Sequence, residues 1–154
     1  MNKRWMIPVA VLVIAATVAA VILLRQPPLI TANDVAAVAV DINGRGHKET
    51  TDLKLCQEVL KQINDLRREE MPDVDDRKGA YAVISVSFED GSKQQLWLLQ
   101  TTEAYTVDGV TFPAGEYLRL YPEGYYRVEA GACNALTALF DGWSSPYANG
   151  SVSE

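Results

Sequence analysis

The sequence predicts an α+β fold: an N-terminal transmembrane helix followed by a mostly antiparallel sheet with two helices packed on it. Three observations carry this expectation. Residues 5–24 form a run of 20 residues without a charge. Several short runs rich in β-branched and aromatic residues follow, divided by Asn43-Gly44, Asp90-Gly91 and Asp108-Gly109, pairs that tolerate the positive φ of hairpin turns. Two other stretches, beginning near Leu53 and Gly131, place apolar residues three and four apart, the spacing of a helix with one buried stripe.

At about 1.5 Å of rise per residue, a helix over residues 5–24 covers roughly 30 Å, the hydrocarbon thickness of a bilayer. Within it only Thr17 is polar; Lys3 and Arg4 precede it, Arg25 follows, and Pro27 and Pro28 stop the helix. A soluble helix that is apolar all round needs a much larger protein around it. The competing reading is a cleaved signal peptide, with Val18-Ala19-Ala20 as the small-residue site. That cut leaves Val21, Ile22, Leu23 and Leu24 as a greasy N-terminus, and the run exceeds the usual h-region of about 7–15 residues. No cysteine precedes Cys56, so nothing near the run can be lipidated. An uncleaved signal-anchor is therefore expected. Lys3, Arg4 and the terminal amine outweigh Arg25, which keeps the N-terminus cytoplasmic and sends the rest across the cell membrane in a single pass. The organisation expected is residues 1–4 cytoplasmic, 5–24 transmembrane, 25–33 a stalk, 34–143 an extracytoplasmic α+β domain and 144–154 a flexible tail.

Charge follows the same division. Residues 1–25 hold Lys3, Arg4 and Arg25 and no acid, a net +3; the remainder holds 11 Lys/Arg against 20 Asp/Glu, a net −9. An acidic outer part argues against nucleic acid as a partner.

After the anchor, residues 35–42 read as a buried strand, turning at Asn43-Gly44 into a polar return over residues 47–50. Thr51-Asp52 offers an N-cap to a helix running to about Glu69, with Leu53, Cys56, Val59, Leu60, Ile63 and Leu66 as its apolar stripe. On its polar face Lys54/Glu58 and Lys61/Asp65 stand four apart with opposite charges. Residues 71–79 read as a loop. Strands follow at 81–88 and 93–100 around Asp90-Gly91, at 104–107 and 110–112 around Asp108-Gly109, and at 117–121 and 125–128 around Pro122, Glu123 and Gly124. A second helix over residues 131–140 buries Ala132, Cys133, Leu136, Leu139 and Phe140, and Gly142 stands where a left-handed C-cap is expected.

Chemistry-bearing motifs are scarce. His47 is the only histidine, so no His pair or His/Cys cluster forms a transition-metal site within one chain. Asp73, Asp75 and Asp76 invite a calcium reading, but Arg77 and Lys78 fall where a ligand and the turn glycine belong, and Ile84 replaces the twelfth-position Glu. No Gly-x-Ser-x-Gly, His-Glu-x-x-His or phosphate-cradling loop occurs. No cofactor, metal or catalytic residue is expected, and an envelope enzyme is the least supported class. Cys56 and Cys133 lie on the apolar stripes of the two helices; a disulfide joining them and a pair of buried free thiols are both open.

The last hairpin carries the candidate binding face. With Gly124 left-handed in a three-residue turn, Tyr121 faces Tyr125 and Arg119 faces Arg127. Tyr117, Arg119, Tyr121, Tyr125 and Arg127 then share one face, while Leu118, Leu120, Tyr126 and Val128 take the core side. Opposed arginines cost a few tenths of a kcal/mol unless acids neutralise them. Tyrosine and arginine together are the composition of protein-binding sites, and aromatics also suit sugar rings; a solvated face with cross-strand tyrosine pairs is the alternative.

The order of these features resembles small, mostly uncharacterised extracytoplasmic domains of Gram-positive bacteria that are attached by an N-terminal helix or a lipid. The likeness rests on the Val35 to Val40 strand, the Thr51-Asp52 helix start, the Val83 to Phe88 strand running into Asp90-Gly91, Tyr125-Tyr126-Arg127-Val128 and the closing helix. It spans residues 33–143 and brings no catalytic residues with it. The expectation is a non-enzymatic binding module whose partner is another envelope protein or a cell-wall component. The alternative is a regulatory ectodomain acting through a partner in the membrane.

Overall fold

Side-chain alternation builds the sheet. The computed structural model describes residues 26–31, 33–74, 80–122 and 124–148. β1 (Val35–Ile42) turns through Asn43-Gly44 into β2 (Gly46–Thr50), and α1 (Leu53–Asp65) follows. Then come β3 (Arg68–Met71), β4 (Ala80–Phe88), β5 (Lys93–Thr101), a small β6 (Tyr105–Val107) and β7 (Val110–Phe112) hairpin, β8 (Gly115–Tyr121), β9 (Tyr125–Val128) and α2 (Ala132–Asp141). Seven strands form one sheet in the order β2-β1-β4-β5-β8-β9-β3, antiparallel at every pairing. The fold is thus α+β, with two helices on a mostly antiparallel sheet, as the sequence predicts.

The period of two sends Val38, Val40, Ile42, Ala82, Ile84, Val86, Leu96, Leu98, Leu118 and Leu120 to one face, where they are buried. Both helices lie on that face, α1 through Cys56, Val59, Leu60 and Ile63, and α2 through Ala132, Cys133, Leu136 and Phe140. Each fully buried aliphatic side chain there contributes about 1.5–3 kcal/mol by leaving water. Leu53, counted in the α1 stripe, is instead exposed.

Asp52 is the N-cap of α1, its Oδ1 accepting from the N–H of Lys54 at 2.8 Å and of Leu55 at 3.4 Å. The helix stops at Asp65, four residues before the expected end, because Leu66 leaves helical geometry at ψ 130° and is buried in the core. Arg68–Met71, read from sequence as helix and loop, becomes the edge strand β3 paired to β9. Its Arg-Glu-Glu composition favours helix, and tertiary pairing overrides that weak preference. The turn at Asp90-Gly91 holds three residues rather than two, with the Phe88 N–H bonded to Ser92 C=O at 3.0 Å and Gly91 at φ 84°.

α2 is held by two buried charges that come from the sheet. Its N-cap, Gly131, has no side chain to offer; Glu116 of β8 accepts from the N–H of Gly131 at 3.0 Å and of Cys133 at 2.7 Å. At the other end Lys48 of β2 donates to the carbonyls of Phe140 at 2.8 Å and Trp143 at 3.3 Å. Glu116 is 8% exposed and Lys48 5%. A carboxylate at the N-terminus and an ammonium at the C-terminus both match the helix dipole. The lysine also explains a correction: Gly142 is right-handed, φ −71°, because the chain does not need a glycine cap there.

The stretch after α2, expected to be flexible from residue 144, is docked as far as Ala148. Trp143 is buried edge-on to Phe140, at 5.1 Å between ring centres. The Tyr147 ring covers the Lys48 ammonium at 4.2 Å and its hydroxyl donates to Asp141, while Ala148 exchanges two backbone bonds with His47. Gly46 permits this approach, since a Cβ there would stand 2.4 Å from the Ala148 carbonyl oxygen. Residues 149–154 lie outside the described part.

The expected stalk, residues 25–33, is also docked where it is described: Ile30 is buried in the main core and its backbone N–H and C=O both bond the Asn64 amide, at 3.1 and 2.9 Å. Among the described residues no helix is long and apolar enough to cross a membrane; the anchor expected at residues 5–24 lies outside them.

Replacing Lys48 by Met, or Glu116 by Gln, should each lower stability by about 1–3 kcal/mol, the range for losing a charged hydrogen bond and leaving its partner orphaned. Urea melts of the full chain in mild detergent measure this. Stability unchanged in both variants would mean that the helix ends do not need these charges.

Candidate functional site

The face of the sheet turned away from the helices is unlike the first. The registers set a row across all seven strands: His47, Asp41, Val83, Trp97, Arg119, Tyr125 and Met71. The next row is Glu49, Ala39, Ser85, Gln95 and Tyr121.

One half of this face is covered. The β6–β7 hairpin folds onto β8 and β9, stacking Tyr105 on Phe112 at 5.1 Å and setting Phe112 5.7 Å from the ring of Tyr117 and 5.1 Å from that of Tyr125. With Leu99 and Val74 these form a second, smaller core. Its polar ends are satisfied: the Tyr105 and Tyr125 hydroxyls share a bond of 2.9 Å, and Tyr117 donates to the Pro113 carbonyl. Burial raises the Tyr117 pKa, against the lowering effect of Arg127.

The five residues expected to form a Tyr/Arg surface therefore divide. They do share one face, but Tyr117 and Tyr125 are fully buried, Arg119 is 6% exposed, Arg127 is half-buried, and Tyr121 alone is open at 47%. The cross-strand partners also differ from expectation. Tyr117 faces Arg127 and Arg119 faces Tyr125, closed by the Leu120 N–H on the Gly124 C=O at 2.9 Å. The pairing slips by two residues, an even number, so each side chain keeps its face while its partner changes. The opposed arginines never meet: Arg127 stands across from Glu69 of β3, a strand absent from the sequence reading. Arg119 Nη2 is 3.6 Å from Asp73 Oδ1.

Trp97 completes what remains exposed. Its ring stacks on Tyr121, 6.4 Å between centres at 15° between planes, and the Arg119 guanidinium lies 6.0 Å from the Tyr121 ring centre. Trp97 Nε1 is buried with no acceptor among the described residues, a donor left unsatisfied at a cost of about 1–3 kcal/mol. Sequence alternation contained the signal, since Trp97 sits between the core residues Leu96 and Leu98 and must face the other way. Beyond this wall the half-buried Ala39 and Ser85 and the exposed Gln95 make a floor of small and polar side chains over β1, β4 and β5.

Elsewhere the chemistry is sparse. His47 Nδ1 pairs with Asp41 at 3.0 Å on the exposed edge. No group of three His, Cys, Asp or Glu residues fit to hold a metal occurs among the described residues, and Asp75 and Asp76 lie outside them.

The two cysteines are buried free thiols, so the optional disulfide is not formed. Cys56 Sγ lies against Thr50 C=O on β2, at 3.7 Å, and Cys133 Sγ against Leu99 C=O on β5, at 3.9 Å. Three strand spacings, roughly 14 Å, separate those strands, far beyond the ~4.5 Å that a bridge allows between Cβ atoms. Burial, reinforced by the adjacent Glu116 charge, pushes the Cys133 pKa up to about 12, and burial also raises that of Cys56. The native full chain should thus leave thiol reagents untouched near pH 8 and yield two thiols on denaturation; two reactive thiols in the native state, or none after unfolding, would contradict this. Above the ordinary thiol range the unfolded chain releases a proton that folded Cys133 keeps. Stability should therefore fall as pH rises from ~8.5 towards 12, and the Cys133→Ala variant should show a shallower slope, with Cys56 and Tyr117, also raised by burial, contributing to the remainder.

Compared with known proteins, the chain matches no family model, no curated protein and no solved structure, so its function must be read from this geometry.

Proposed function

We propose that this is a single-pass membrane protein, anchored by residues 5–24 with its N-terminus cytoplasmic, whose extracytoplasmic domain binds a partner without transforming it. The partner is an envelope protein or a cell-wall component. The observation that supports this best is the Trp97–Tyr121 ring pair, backed by buried Arg119 and set beside the open half of the sheet. Rigid aromatic rings with an adjacent arginine are the groups that dominate binding surfaces, because they bring large contact area at little entropic cost. Tyr117 and Tyr125 support this surface from beneath the hairpin and do not belong to it. Resemblance to extracytoplasmic domains of Gram-positive bacteria agrees with the reading.

The test is a photo-crosslinking amino acid at Tyr121, in the full chain and in the cells it comes from, with Leu53 on α1 as the control. A discrete adduct, protein or wall glycan, formed from Tyr121 and lost from Leu53 is expected. No adduct at Tyr121, or the same adducts from both, would refute the reading. Tyr121→Ser should weaken capture with the fold intact, whereas substituting the buried Arg119 would disturb the packing of β8 and its ion pair with exposed Asp73.

A second reading, a regulatory ectodomain acting through a membrane partner, is favoured by the docking of residues 26–30 on Asn64 and Arg68. With only Arg25 between that contact and the anchor, movement of one is carried to the other. A flexible Gly/Ser insertion after Arg25 should abolish a regulatory function and spare simple binding.

A further inference from the structure

The described residues that follow the expected anchor are fastened to the domain from Gln26 onward. Gln26, two residues after the last residue of the anchor, lies against β3: its side-chain Nε2 donates to the Arg68 C=O at 2.6 Å and its Oε1 accepts from the Arg68 N–H at 3.3 Å. The Arg68 guanidinium donates to the Pro27 carbonyl. Asn64 grips Ile30 in the same reciprocal way, and Ile30 is 1% exposed in the main core. Two side-chain amides thus mimic strand pairing and fasten residues 26–30 to the end of α1 and the edge of β3.

Chain geometry then fixes where this end of the domain sits. Consecutive Cα atoms are about 3.8 Å apart, so Gln26 lies within roughly 7.6 Å of Leu24. The headgroup layer on each side of the hydrocarbon is about 5–7 Å thick. Arg68, bonded to Gln26, is held at that depth. A cleft opens at the same place, between the docked segment and the last turn of α1, lined among others by Gln26, Pro28, Lys61, Asp65, Arg67 and Arg68. Arg67 is exposed, and among the described residues Lys61 pairs with the exposed Asp65 one turn on. Asp65 is the one acid among the residues lining the cleft; Glu69 and Glu70 follow further along β3, and the Glu129 carboxylate meets the Arg67 backbone N–H at 3.5 Å. Three cations against one acid line the cleft itself, although the outer chain as a whole is strongly acidic.

We propose that this cleft takes the phosphate of an anionic phospholipid headgroup, with Lys61 and Arg67 as its ligands and Arg68 held by Gln26 as the floor. The domain is then seated on the membrane by the Arg68 end of β3 and the last turn of α1, in one orientation instead of swinging on a tether. This rests on residues 5–24 being an uncleaved anchor. An exposed surface ion pair such as Lys61–Asp65 is worth little, so a headgroup phosphate displaces Asp65 readily. Each cation near an anionic surface raises residence there about five-fold.

The experiment places the full chain in vesicles of phosphatidylcholine, with or without phosphatidylglycerol, that carry a headgroup-linked quencher. A fluorophore is attached at Ala130→Cys, in the turn beside Arg67, or at Asn43→Cys on the far side of the sheet; both positions are exposed, and the native thiols are buried. The expected result is several-fold stronger quenching at Ala130 than at Asn43, deepened by phosphatidylglycerol and returned to the phosphatidylcholine level by the pair Lys61→Glu and Arg67→Glu. A chain that floats with the vesicles but shows equal quenching at the two positions, or none of the dependence on charge, overturns the headgroup site and leaves the anchor standing. Failure to float with vesicles of either kind overturns the anchor reading, and this inference with it.

Discussion

The fold turns on how α2 is fastened. The helix crosses from β8, which supplies Glu116, to β2, which supplies Lys48. Four strand spacings at ~4.8 Å come to roughly 19 Å, and a helix of 10 residues at ~1.5 Å each gives about 15 Å, so one helix links a strand near one edge to the strand at the other. Burying two charges is costly unless each is hydrogen-bonded. Here both are, the carboxylate by two backbone N–H groups and the ammonium by two carbonyls and a tyrosine ring. The same contacts explain why Cys133 is so reluctant to ionise, why Gly142 need not be left-handed, and why the chain beyond α2 lies along β2.

With one face closed by helices, the other is free to differ. The β6–β7 hairpin covers its β8–β9 half by packing Tyr105 and Phe112 onto Tyr117 and Tyr125, leaving mostly small and polar side chains over β1, β4 and β5. Trp97 and Tyr121 stand at the border. The proposed binding surface lies there because the rings are held by packing from behind, and an ordered aromatic loses little freedom on binding.

Much of this was legible in the residues. Hydrophobic alternation found β4, β5, β8 and β9, a continuous apolar run found β1, Asn-Gly and Asp-Gly pairs found the turns, and the three-four spacing found both helices. Period two also placed Tyr117, Arg119, Tyr121, Tyr125 and Arg127 on one face. What it could not give was what lies over that face, since Tyr105 and Phe112 meet Tyr117 and Tyr125 only through the tertiary fold. β3 escaped because Arg68, Glu69 and Glu70 carry no strand preference. Lys48 and Glu116 read as ordinary strand charges, and only the arrival of α2 gives them their role. Gln26 and Asn64 were invisible for the same reason: a lone amide becomes a clamp when the backbone it pairs with is brought beside it.

The most direct test of the account is native-state amide hydrogen exchange on the full chain in detergent. If Glu116 and Lys48 bind α2 into one cooperative unit with the sheet, the amides of Leu136 and Phe140 should exchange only through global unfolding, as slowly as those of Leu98 and Leu118. Faster exchange in α2 while β5 and β8 stay protected would show that the helix opens alone, and that the buried charges do not hold the fold together.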